Sequence, residues 1–387
     1  MPPIALNRRR FLGCSAAAGL AFSQSSLADT ASELGPIEPV RLGLIGVGNR
    51  GTTLLRSLLE IPAATVVAVC DVEPKHRARG MGIVEKARGE RPAEDAEPRR
   101  LLERPDIDAV VVALPCDLHE TVYLEVLRAG KHLYAEKPLA ITLEACDRLI
   151  AEAEKSPALA FHVGYQRRSH PRYREGVDLL RGGELGQLLE ARASWNSSNG
   201  PLLGHRGWLG RRARSGDFMV EHAVHLWDVL HWVRGEPPKR ASGWGKRGLF
   251  AHLDPERDVT DHYAVELEWA DGFRASLIQS WVAPASDEFT GSTLQFLGAA
   301  GGLDLSTGTM VFRDRQRPRR SLHPGHQNDT RLALESFLRA VHDRQPSTPP
   351  VSLAETRAAT LTGLLAREAV DRQAQVTLEE ILQTHSG

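Results

Sequence analysis

The stretch Val40-Arg41-Leu42-Gly43-Leu44-Ile45-Gly46-Val47-Gly48-Asn49-Arg50-Gly51 decides the fold of this chain. It opens with an apolar run typical of a buried strand, and its last three glycines follow the pattern Gly-x-Gly-x-x-Gly. A helical stretch, residues 52–60, comes directly after them. In such a turn the first glycine permits the bend, the second admits a pyrophosphate, and the third allows close helix–strand packing. The stretch therefore predicts a strand, a phosphate-binding turn and a helix.

The same alternation continues along the chain. Apolar runs at residues 65–70, 109–114 and 131–135 are separated by helical stretches such as 118–129. This rhythm predicts a parallel sheet with helices on its faces, which is a Rossmann domain. The polar, proline-containing stretch 88–105 interrupts it and is predicted to be loop or short helix.

The pattern changes after about residue 160. Strand-like runs follow at residues 188–195, 262–269, 273–280 and 293–297, and Asp271-Gly272 between two of them is a strong hairpin signal. We predict an α/β fold with a Rossmann domain over 40–160 and an α/β domain over 161–387, whose large open sheet is mainly antiparallel. A chain of 387 residues favours two domains.

The balance of charged residues and the N-terminal sequence indicate which partners to expect and where the protein is located. The 48 Lys+Arg nearly balance 49 Asp+Glu, so no nucleic-acid partner is expected.

The N-terminal sequence is typical of a signal peptide and resembles the twin-arginine export signal. It consists of Arg8-Arg9-Arg10-Phe11-Leu12, a short apolar run and small residues near Ala28. We predict a signal peptide over 1–28, a linker over 29–39, export by the twin-arginine machinery, and a periplasmic or secreted protein. The apolar run is too short for a permanent membrane anchor. The alternative is a mildly basic tail.

Asp71 closes the second apolar run, about 25 residues after the glycines. A carboxylate there accepts hydrogen bonds from the adenosine ribose hydroxyls and repels a 2′-phosphate, which favours NAD over NADP. The basic residues Lys75, His76 and Arg77 keep NADP as the lesser alternative.

Two further segments carry candidate chemistry. Glu136-Lys137-Pro138 stands at the end of the fourth strand, where open α/β sheets bind ligands. The apolar helical stretch 216–232 contains Glu221, His225 and Asp228 at spacings that share one helix face. Ionisable groups on so apolar a helix are costly to bury unless they are paired or used. A Glu–His–Asp network that only ties two helices is the structural alternative.

Together these segments resemble the glucose–fructose oxidoreductase / inositol dehydrogenase (Gfo/Idh/MocA) family. The resemblance rests on Gly46-x-Gly48-x-x-Gly51, Leu114-Pro115-x-x-x-His119, Glu136-Lys137-Pro138, Gly164-Tyr165-Gln166-Arg167 and Glu221…His225…Asp228. It implies a nicotinamide-dependent enzyme that acts on a sugar or sugar derivative, and an open sheet that forms homo-oligomer contacts.

The resemblance also implies site residues. The acid/base residues would be Lys137, His225 and Glu221, the last of which stands where many relatives carry Asp. The cofactor residues would be Gly46, Gly48, Asn49, Arg50, Gly51, Asp71, Pro115, His119, Glu136 and Lys137. The substrate residues would be Tyr165, Gln166, Arg167, Trp208 and His225. We predict no metal, although Glu221, His222 and His225 sharing an ion is an alternative.

Export restricts the mechanism, because nicotinamide cofactors are not freely supplied outside the cytoplasm. We therefore predict tightly bound NAD that returns to its starting redox state within each cycle. One alternative is net glycoside hydrolysis by transient oxidation and elimination, as in NAD-dependent glycosidases that resemble this family. A second is an ordinary sugar or inositol dehydrogenase with dissociable NAD. A different class is a non-catalytic sugar or NAD sensor.

Overall fold

The computed structural model describes residues 39–325, 328–343 and 349–384. The predicted signal peptide 1–28 and residues 29–38 of the predicted linker lie outside this part, so the export prediction stays a prediction. Within these ranges, no helix combines the length and apolar character that a membrane crossing requires.

The first sheet of the described chain has six strands, all parallel, in the order β3-β2-β1-β4-β5-β6. They are β1 (Val40–Ile45), β2 (Ala64–Cys70), β3 (Ala93–Asp95), β4 (Ala109–Val112), β5 (His132–Ala135) and β6 (Phe161–Val163). Its helices are α1 (Asn49–Leu59), α2 (Pro74–Arg88), α3 (Pro98–Leu102), α4 (His119–Arg128) and α5 (Leu143–Glu154). The strand order reverses between β1 and β4, and open α/β sheets bind ligands in the crevice outside the carboxyl ends of the strands at such a point.

The second sheet has nine strands among the described residues, in the order β14-β13-β12-β11-β7-β10-β9-β8-β15. They are β7 (Leu188–Asn196), β8 (Arg240–Arg247), β9 (Thr260–Glu268), β10 (Arg274–Ser280), β11 (Gly291–Gly298), β12 (Gly301–Asp304), β13 (Thr309–Phe312), β14 (Arg320–Ser321) and β15 (Val376–Thr377). β7 and β10 pair in parallel, and the other described pairs are antiparallel. The predicted fold class is confirmed.

Further helices follow β6 in the described part of the chain. They are α6 (Pro171–Arg181), α7 (Arg212–Ser215), α8 (Phe218–Glu221), α9 (Val224–Arg234), α10 (Asp329–His342), α11 (Leu353–Arg372) and α12 (Leu378–Thr384). Among them α11 packs against β8 and β9 of the second sheet. Gly243 and Gly245 of β8 admit Val370 of α11 at close range, whereas Trp244 between them is 52% exposed on the other face. Homo-oligomer contacts through this sheet stay a prediction.

Helix α10 returns to the first sheet late in the chain. Phe337 contacts Tyr134 and His162 edge-on, with ring centroids 5.7 and 5.6 Å apart, respectively. This packing brings Thr330, near the start of α10, within 3.2 Å of Arg50 Nη1 in the glycine turn. A segment far along the chain therefore supports the cofactor end of the crevice.

The structure differs from the sequence-based expectation in two stretches. Residues 88–105, predicted to be loop or short helix, contain the edge strand β3 as well as helix α3. The apolar stretch 216–232, predicted to be one helix, is two helices, α8 and α9, joined by a turn at His222 and Ala223.

Hydrogen bonding explains the break between α8 and α9. The amide of Ala223 donates to the Phe218 carbonyl, one residue further back than an α-helix allows. The Met219 carbonyl, which that amide would otherwise reach, accepts instead from the indole of Trp227 at 2.8 Å.

Candidate active site

Of the three glycines in the turn, only the middle one, Gly48, has free space around it. A Cβ on Gly46, where φ is +87°, would lie 2.2 Å from the Ala113 carbonyl oxygen, and one on Gly51 would lie 1.9 Å from the Gly46 oxygen. A Cβ on Gly48 would meet nothing closer than His76 Cε1 at 4.0 Å. The first and third glycines thus serve the turn and its packing, and Gly48 leaves free space beside the start of α1. That cradle fits a pyrophosphate at a helix N-terminus.

Asp71 lies at the end of β2 beside this turn. Its Oδ2 accepts a hydrogen bond from the Val47 amide at 2.9 Å, and its Oδ1 accepts one from the Glu73 amide at 2.9 Å. The guanidinium of Arg77 donates to the Asp71 carbonyl at 2.7 Å and to Glu94 at 3.3 Å. Because Arg77 is already engaged with acceptors, this edge suits ribose hydroxyls better than a 2′-phosphate.

The loop after β4 is fixed by a buried histidine. Pro115 precedes a short turn, and His119 begins α4 with no exposed surface. His119 Nδ1 is 2.8 Å from the Pro138 carbonyl oxygen and Nε2 is 3.1 Å from the Leu114 carbonyl oxygen. Burial lowers the His119 pKa against the opposing effect of these carbonyls. His119 thus ties the loops after β4 and β5 together.

Glu136 connects the glycine turn to the end of β5. Its carboxylate is buried and accepts a hydrogen bond from Arg50 Nε at 2.6 Å. Gly164 lets this carboxylate lie close, since a Cβ there would be 3.1 Å from Glu136 Oε1. Arg50 Nη2 is buried with no hydrogen-bond partner among the described residues, whereas Asn49 is exposed at the start of α1.

Lys137 and Glu221 form the central ion pair of the site. Lys137 Nζ lies 2.6 Å from Glu221 Oε1, and both side chains are largely buried. Burial opposes charge on each group, but the attraction between them outweighs it. The Lys137 pKa is therefore raised and the Glu221 pKa lowered. The pair holds an ammonium and a carboxylate at the end of β5.

His225 supplies an uncharged imidazole near this pair. Burial, and then the positive charge of Lys137, lower the His225 pKa well below its ordinary value. Its Nδ1 is buried without a hydrogen-bond partner in the described structure. The rings of Tyr165 and Trp195 lie with centroids 6.1 Å from the imidazole. A neutral imidazole in this position can accept a proton.

Asp228 belongs to a different group of charges. Arg168 donates three hydrogen bonds to it at 2.8 to 3.1 Å, and both side chains are fully buried. Arg168 Nη1 also donates to Glu355 at 2.9 Å. The turn at His222 leaves Glu221 in α8 and places His225 and Asp228 in α9, so the three residues do not lie on one continuous helix as predicted.

The predicted substrate residues from the segment after β6 carry unpaired polar atoms. Tyr165 Oη, Gln166 Oε1 and Arg167 Nη1 are buried and have no hydrogen-bond partner within the described part of the chain. The Arg167 guanidinium lies 5.0 Å from the ring centroid of Trp195. Unpaired buried polar atoms are unfavourable in a native structure, and their clustering is typical of a ligand site.

Trp208 belongs to the short helical segment His205–Gly210, which follows β7. Its loop contacts Glu73 through His205 Nε2, at 3.1 Å, and through the Arg206 guanidinium. The His205 and His76 rings meet edge-on at 5.3 Å. The loop therefore spans from the second sheet to the ribose end, and a substrate contact by Trp208 stays a prediction.

Sequence reasoning missed an aromatic wall formed by Trp195, Trp281 and His222. Trp195 is the next-to-last residue of β7 and Trp281 follows β10, and their ring centroids lie 3.8 and 4.9 Å from that of His222, respectively. Apolar residues at strand ends are too common to identify such a wall. Among the described residues, no three His, Cys, Asp or Glu side chains are grouped as metal ligands, and so the metal alternative gains no support.

A cradle for pyrophosphate, a ribose carboxylate and a lysine at the strand ends define a nicotinamide-dependent oxidoreductase. The chain belongs to the Gfo/Idh/MocA family. Residues 40–165 match the model of the oxidoreductase family with an NAD-binding Rossmann fold, and residues 173–304 match that of the GFO/IDH/MocA C-terminal domain.

Individual relatives carry different chemistries. The chain is 25% identical to a myo-inositol 2-dehydrogenase of Thermotoga maritima over 89% of this chain and 100% of that enzyme. It is 29% identical to an α-N-acetylgalactosaminidase of Shewanella oneidensis over 49% of this chain and 46% of that enzyme, so this match spans about half of each protein. In fold it is similar to a levoglucosan dehydrogenase solved with NADH and levoglucosan. The TM-score is 0.73 at 19% identity, and the match covers 88% of this chain and 100% of that one.

Proposed function

We propose that the protein is an exported oxidoreductase that acts on a hydroxyl group of a sugar or sugar derivative and retains NAD through the catalytic cycle. The observation that carries the proposal is the buried Lys137–Glu221 ion pair with the neutral His225 beside it. An unprotonated imidazole can accept the hydroxyl proton of an alcohol, and an ammonium can stabilise negative charge on its oxygen. The inositol and levoglucosan dehydrogenases among the relatives support a polyol or sugar as the substrate.

The side chains divide the proton chemistry. Bound NAD would supply an acceptor for the hydride from the sugar carbon and a donor that returns it. Lys137, held protonated by Glu221, donates a hydrogen bond to the reacting oxygen and stabilises negative charge on it. His225 accepts the hydroxyl proton as general base. Glu221 keeps the Lys137 ammonium in place through the 2.6 Å contact.

The loop that contacts Glu73 supports retention of the cofactor. His205 and Arg206 reach Glu73, two residues after the ribose carboxylate Asp71. The loop belongs to the segment between β7 and α7, so these contacts close the ribose end from the second sheet. An enzyme exported in folded form with its cofactor needs slow release of NAD, and the twin-arginine signal predicted for 1–28 fits that requirement.

Net glycoside hydrolysis is the second candidate, and the similarity to an α-N-acetylgalactosaminidase favours it. In that reaction a transient ketone makes the neighbouring C–H acidic, a leaving group is eliminated, water adds, and the ketone is reduced. The C–H proton needs a second base, for which the Glu221 carboxylate beside Lys137 is the candidate. An ordinary dehydrogenase would instead release NADH at each turnover, and a non-catalytic sensor would bind its ligand without turnover.

Turnover with a panel of sugars, inositols and glycosides tests the proposal. Wild-type protein loaded with NAD should reduce its bound nicotinamide, seen by absorbance, with at least one member of the panel. Lys137→Met and His225→Asn should each lower that rate by about 10²–10⁴-fold, as loss of a general acid or base does. A far-UV circular dichroism spectrum like that of the wild type is the control for folding of both variants. Unchanged rates in both variants would contradict the roles of Lys137 and His225, whereas a wild type that binds a sugar without reducing its nicotinamide would favour a sensor.

A further inference from the structure

His222 occupies the turn between α8 and α9 and is held there by two indoles. Its ring lies 3.8 Å from the Trp195 ring and 4.9 Å from the Trp281 ring, measured between centroids. Trp195 is also the indole over which the Arg167 guanidinium lies. The imidazole is therefore part of the same wall as the predicted substrate residue Arg167, and it follows Glu221 directly in the chain.

A buried relay fixes the orientation of the amide that faces His222. Tyr263 and Gln279 have no exposed surface, and the Tyr263 hydroxyl donates to Gln279 Oε1 at 2.5 Å. Gln279 Nε2 is 2.9 Å from His222 Nδ1. If the amide were reversed, its nitrogen would face the hydroxyl and the Tyr263 proton would lose this acceptor. The relay thus places an amide N–H group, which can only donate, against Nδ1.

This orientation determines the tautomer of His222. Nδ1 must offer its lone pair to the Gln279 amide, so the single proton of a neutral imidazole is on Nε2. Burial lowers the His222 pKa to about 3, which keeps the ring neutral across the physiological range. The ring therefore presents a fixed N–H donor at Nε2.

We propose that His222 is a further substrate-binding residue, which donates a hydrogen bond from Nε2 to an oxygen of the sugar, and that Tyr263 and Gln279 are its positioning residues. The inference rests on the proposed function in taking a sugar as the ligand. Arg167 and His222 present donors on the Trp195 wall, whereas His225 acts as an acceptor. The substrate oxygen that meets His222 is one that keeps its lone pairs free, such as a ring, glycosidic or carbonyl oxygen.

Nitrogen NMR of the histidine side chains reads the tautomer without any substrate. Wild-type protein should show His222 with Nε2 protonated and Nδ1 unprotonated, assigned by its loss in His222→Phe. Gln279→Glu replaces the donor by an acceptor and should place a proton on Nδ1. Tyr263→Phe releases the amide and should give a mixture of tautomers. Tyr134→Phe, which removes another buried tyrosine hydroxyl from the first sheet, should leave the His222 signals unchanged. A proton on Nδ1 in the wild type would overturn the inference.

Kinetics with the best sugar or glycoside of the panel supply the second test. His222→Phe keeps an aromatic ring in the wall but removes the donor, and should raise KM about 3- to 10-fold, as loss of one hydrogen bond does. NAD affinity should stay at the wild-type value. An unchanged KM in His222→Phe would overturn the role of His222. Failure of the proposed function would give a different result, because the wild type would then turn over no member of the panel. The NMR experiment would still show whether Tyr263 and Gln279 set the tautomer of His222.

Discussion

Lys137 Nζ lies 2.6 Å from the carboxylate of Glu221 and also 2.6 Å from the backbone carbonyl oxygen of the same residue. Lys137 follows the last residues of β5 in the first sheet, and Glu221 ends α8 in the segment after β7. A single ammonium therefore joins the cofactor-binding sheet to the helices beside the second sheet. Because both contacts favour the charged form, Lys137 is a hydrogen-bond donor and acid rather than the resting base.

Glu221→Gln should weaken the protein and shift its pH profile. Removal of one partner from a buried ion pair costs about 3–5 kcal/mol of unfolding free energy. Without the carboxylate, burial of Lys137 is no longer offset and its pKa falls, so the alkaline limb of kcat/KM should move to lower pH. Urea unfolding and a pH–rate profile measure the two effects. Glu221→Asp keeps the charge and is the matched control, with a smaller shift in the same limb. An alkaline limb unchanged in Glu221→Gln would contradict this account of Lys137.

The stabilising effect of the pair should depend on pH with a definite sign. The Lys137 pKa is raised, so its contribution is present below the unfolded value of about 10.4 and is lost as pH rises through the folded pKa. The Glu221 pKa is lowered, so its contribution is present above about 4.3 and is lost as pH falls through the folded pKa. The difference in unfolding free energy between wild type and the double variant Lys137→Met/Glu221→Gln should be flat between these limits. A steep change near neutral pH would count against the pairing.

The three glycines of the turn should separate into two classes. Gly48→Ala introduces a methyl group into open space, so the unfolding free energy should change by less than about 1 kcal/mol. The same methyl group obstructs the pyrophosphate cradle and should weaken NAD binding at least tenfold. Gly51→Ala is the comparison, since its Cβ would lie 1.9 Å from a backbone oxygen and should destabilise the fold itself. If Gly48→Ala and Gly51→Ala lost NAD affinity equally and neither lost stability, the different roles assigned to Gly48 and Gly51 would be wrong.

Contacts at Glu73 should slow the release of NAD. Glu73→Gln weakens the attraction for Arg206 and His205, whose side chains are partly exposed, so the effect of the ion pairs is modest. NAD should dissociate about 2- to 10-fold faster, as measured by the recovery of protein fluorescence after dilution. Glu94→Gln removes a carboxylate from the same edge, where it pairs with Arg77, and should leave the dissociation rate within twofold of wild type. Identical NAD dissociation rates in the wild type, Glu73→Gln and Glu94→Gln would show that the contacts at Glu73 do not help to retain NAD.

Asp228→Asn should affect stability rather than chemistry. Asp228 is fully buried and accepts its hydrogen bonds from Arg168, so neutralising it leaves a buried guanidinium with only Glu355 as counter-charge. We expect a loss of about 3 kcal/mol in unfolding free energy with kcat reduced less than tenfold. A thousandfold loss of kcat at unchanged stability would instead indicate that Asp228 takes part in the chemistry.

Local patterns predicted the elements that position the cofactor. The apolar run before Gly46 is β1, the carboxylate at the end of β2 is Asp71, and Asp271-Gly272 makes the β9–β10 hairpin. These features depend on neighbouring residues and on the carboxyl ends of parallel strands, so a single sequence contains them. The short strands β3 and β6 escaped prediction because three residues carry too little periodicity.

Features that depend on distant packing could not be predicted. The break between α8 and α9 follows from the Trp227 indole taking the Met219 carbonyl, a choice invisible in helix periodicity. The pairing of Asp228 with Arg168 joins residues 60 positions apart. Sequence spacing marks His222 only as a candidate metal ligand, because its partners Gln279 and Tyr263 come from strands of the second sheet.

Retention of the nicotinamide tests the central claim most directly. The mature protein, recovered after export and dialysed extensively, is examined by absorbance and fluorescence before and after addition of the sugar and glycoside panel, and released nicotinamide is assayed after denaturation. The account predicts about one nicotinamide per chain, a bound cofactor that changes redox state when substrate is added, and no accumulation of free NADH. A cofactor-free protein that makes stoichiometric NADH from added NAD and a sugar would contradict it and identify an ordinary dehydrogenase.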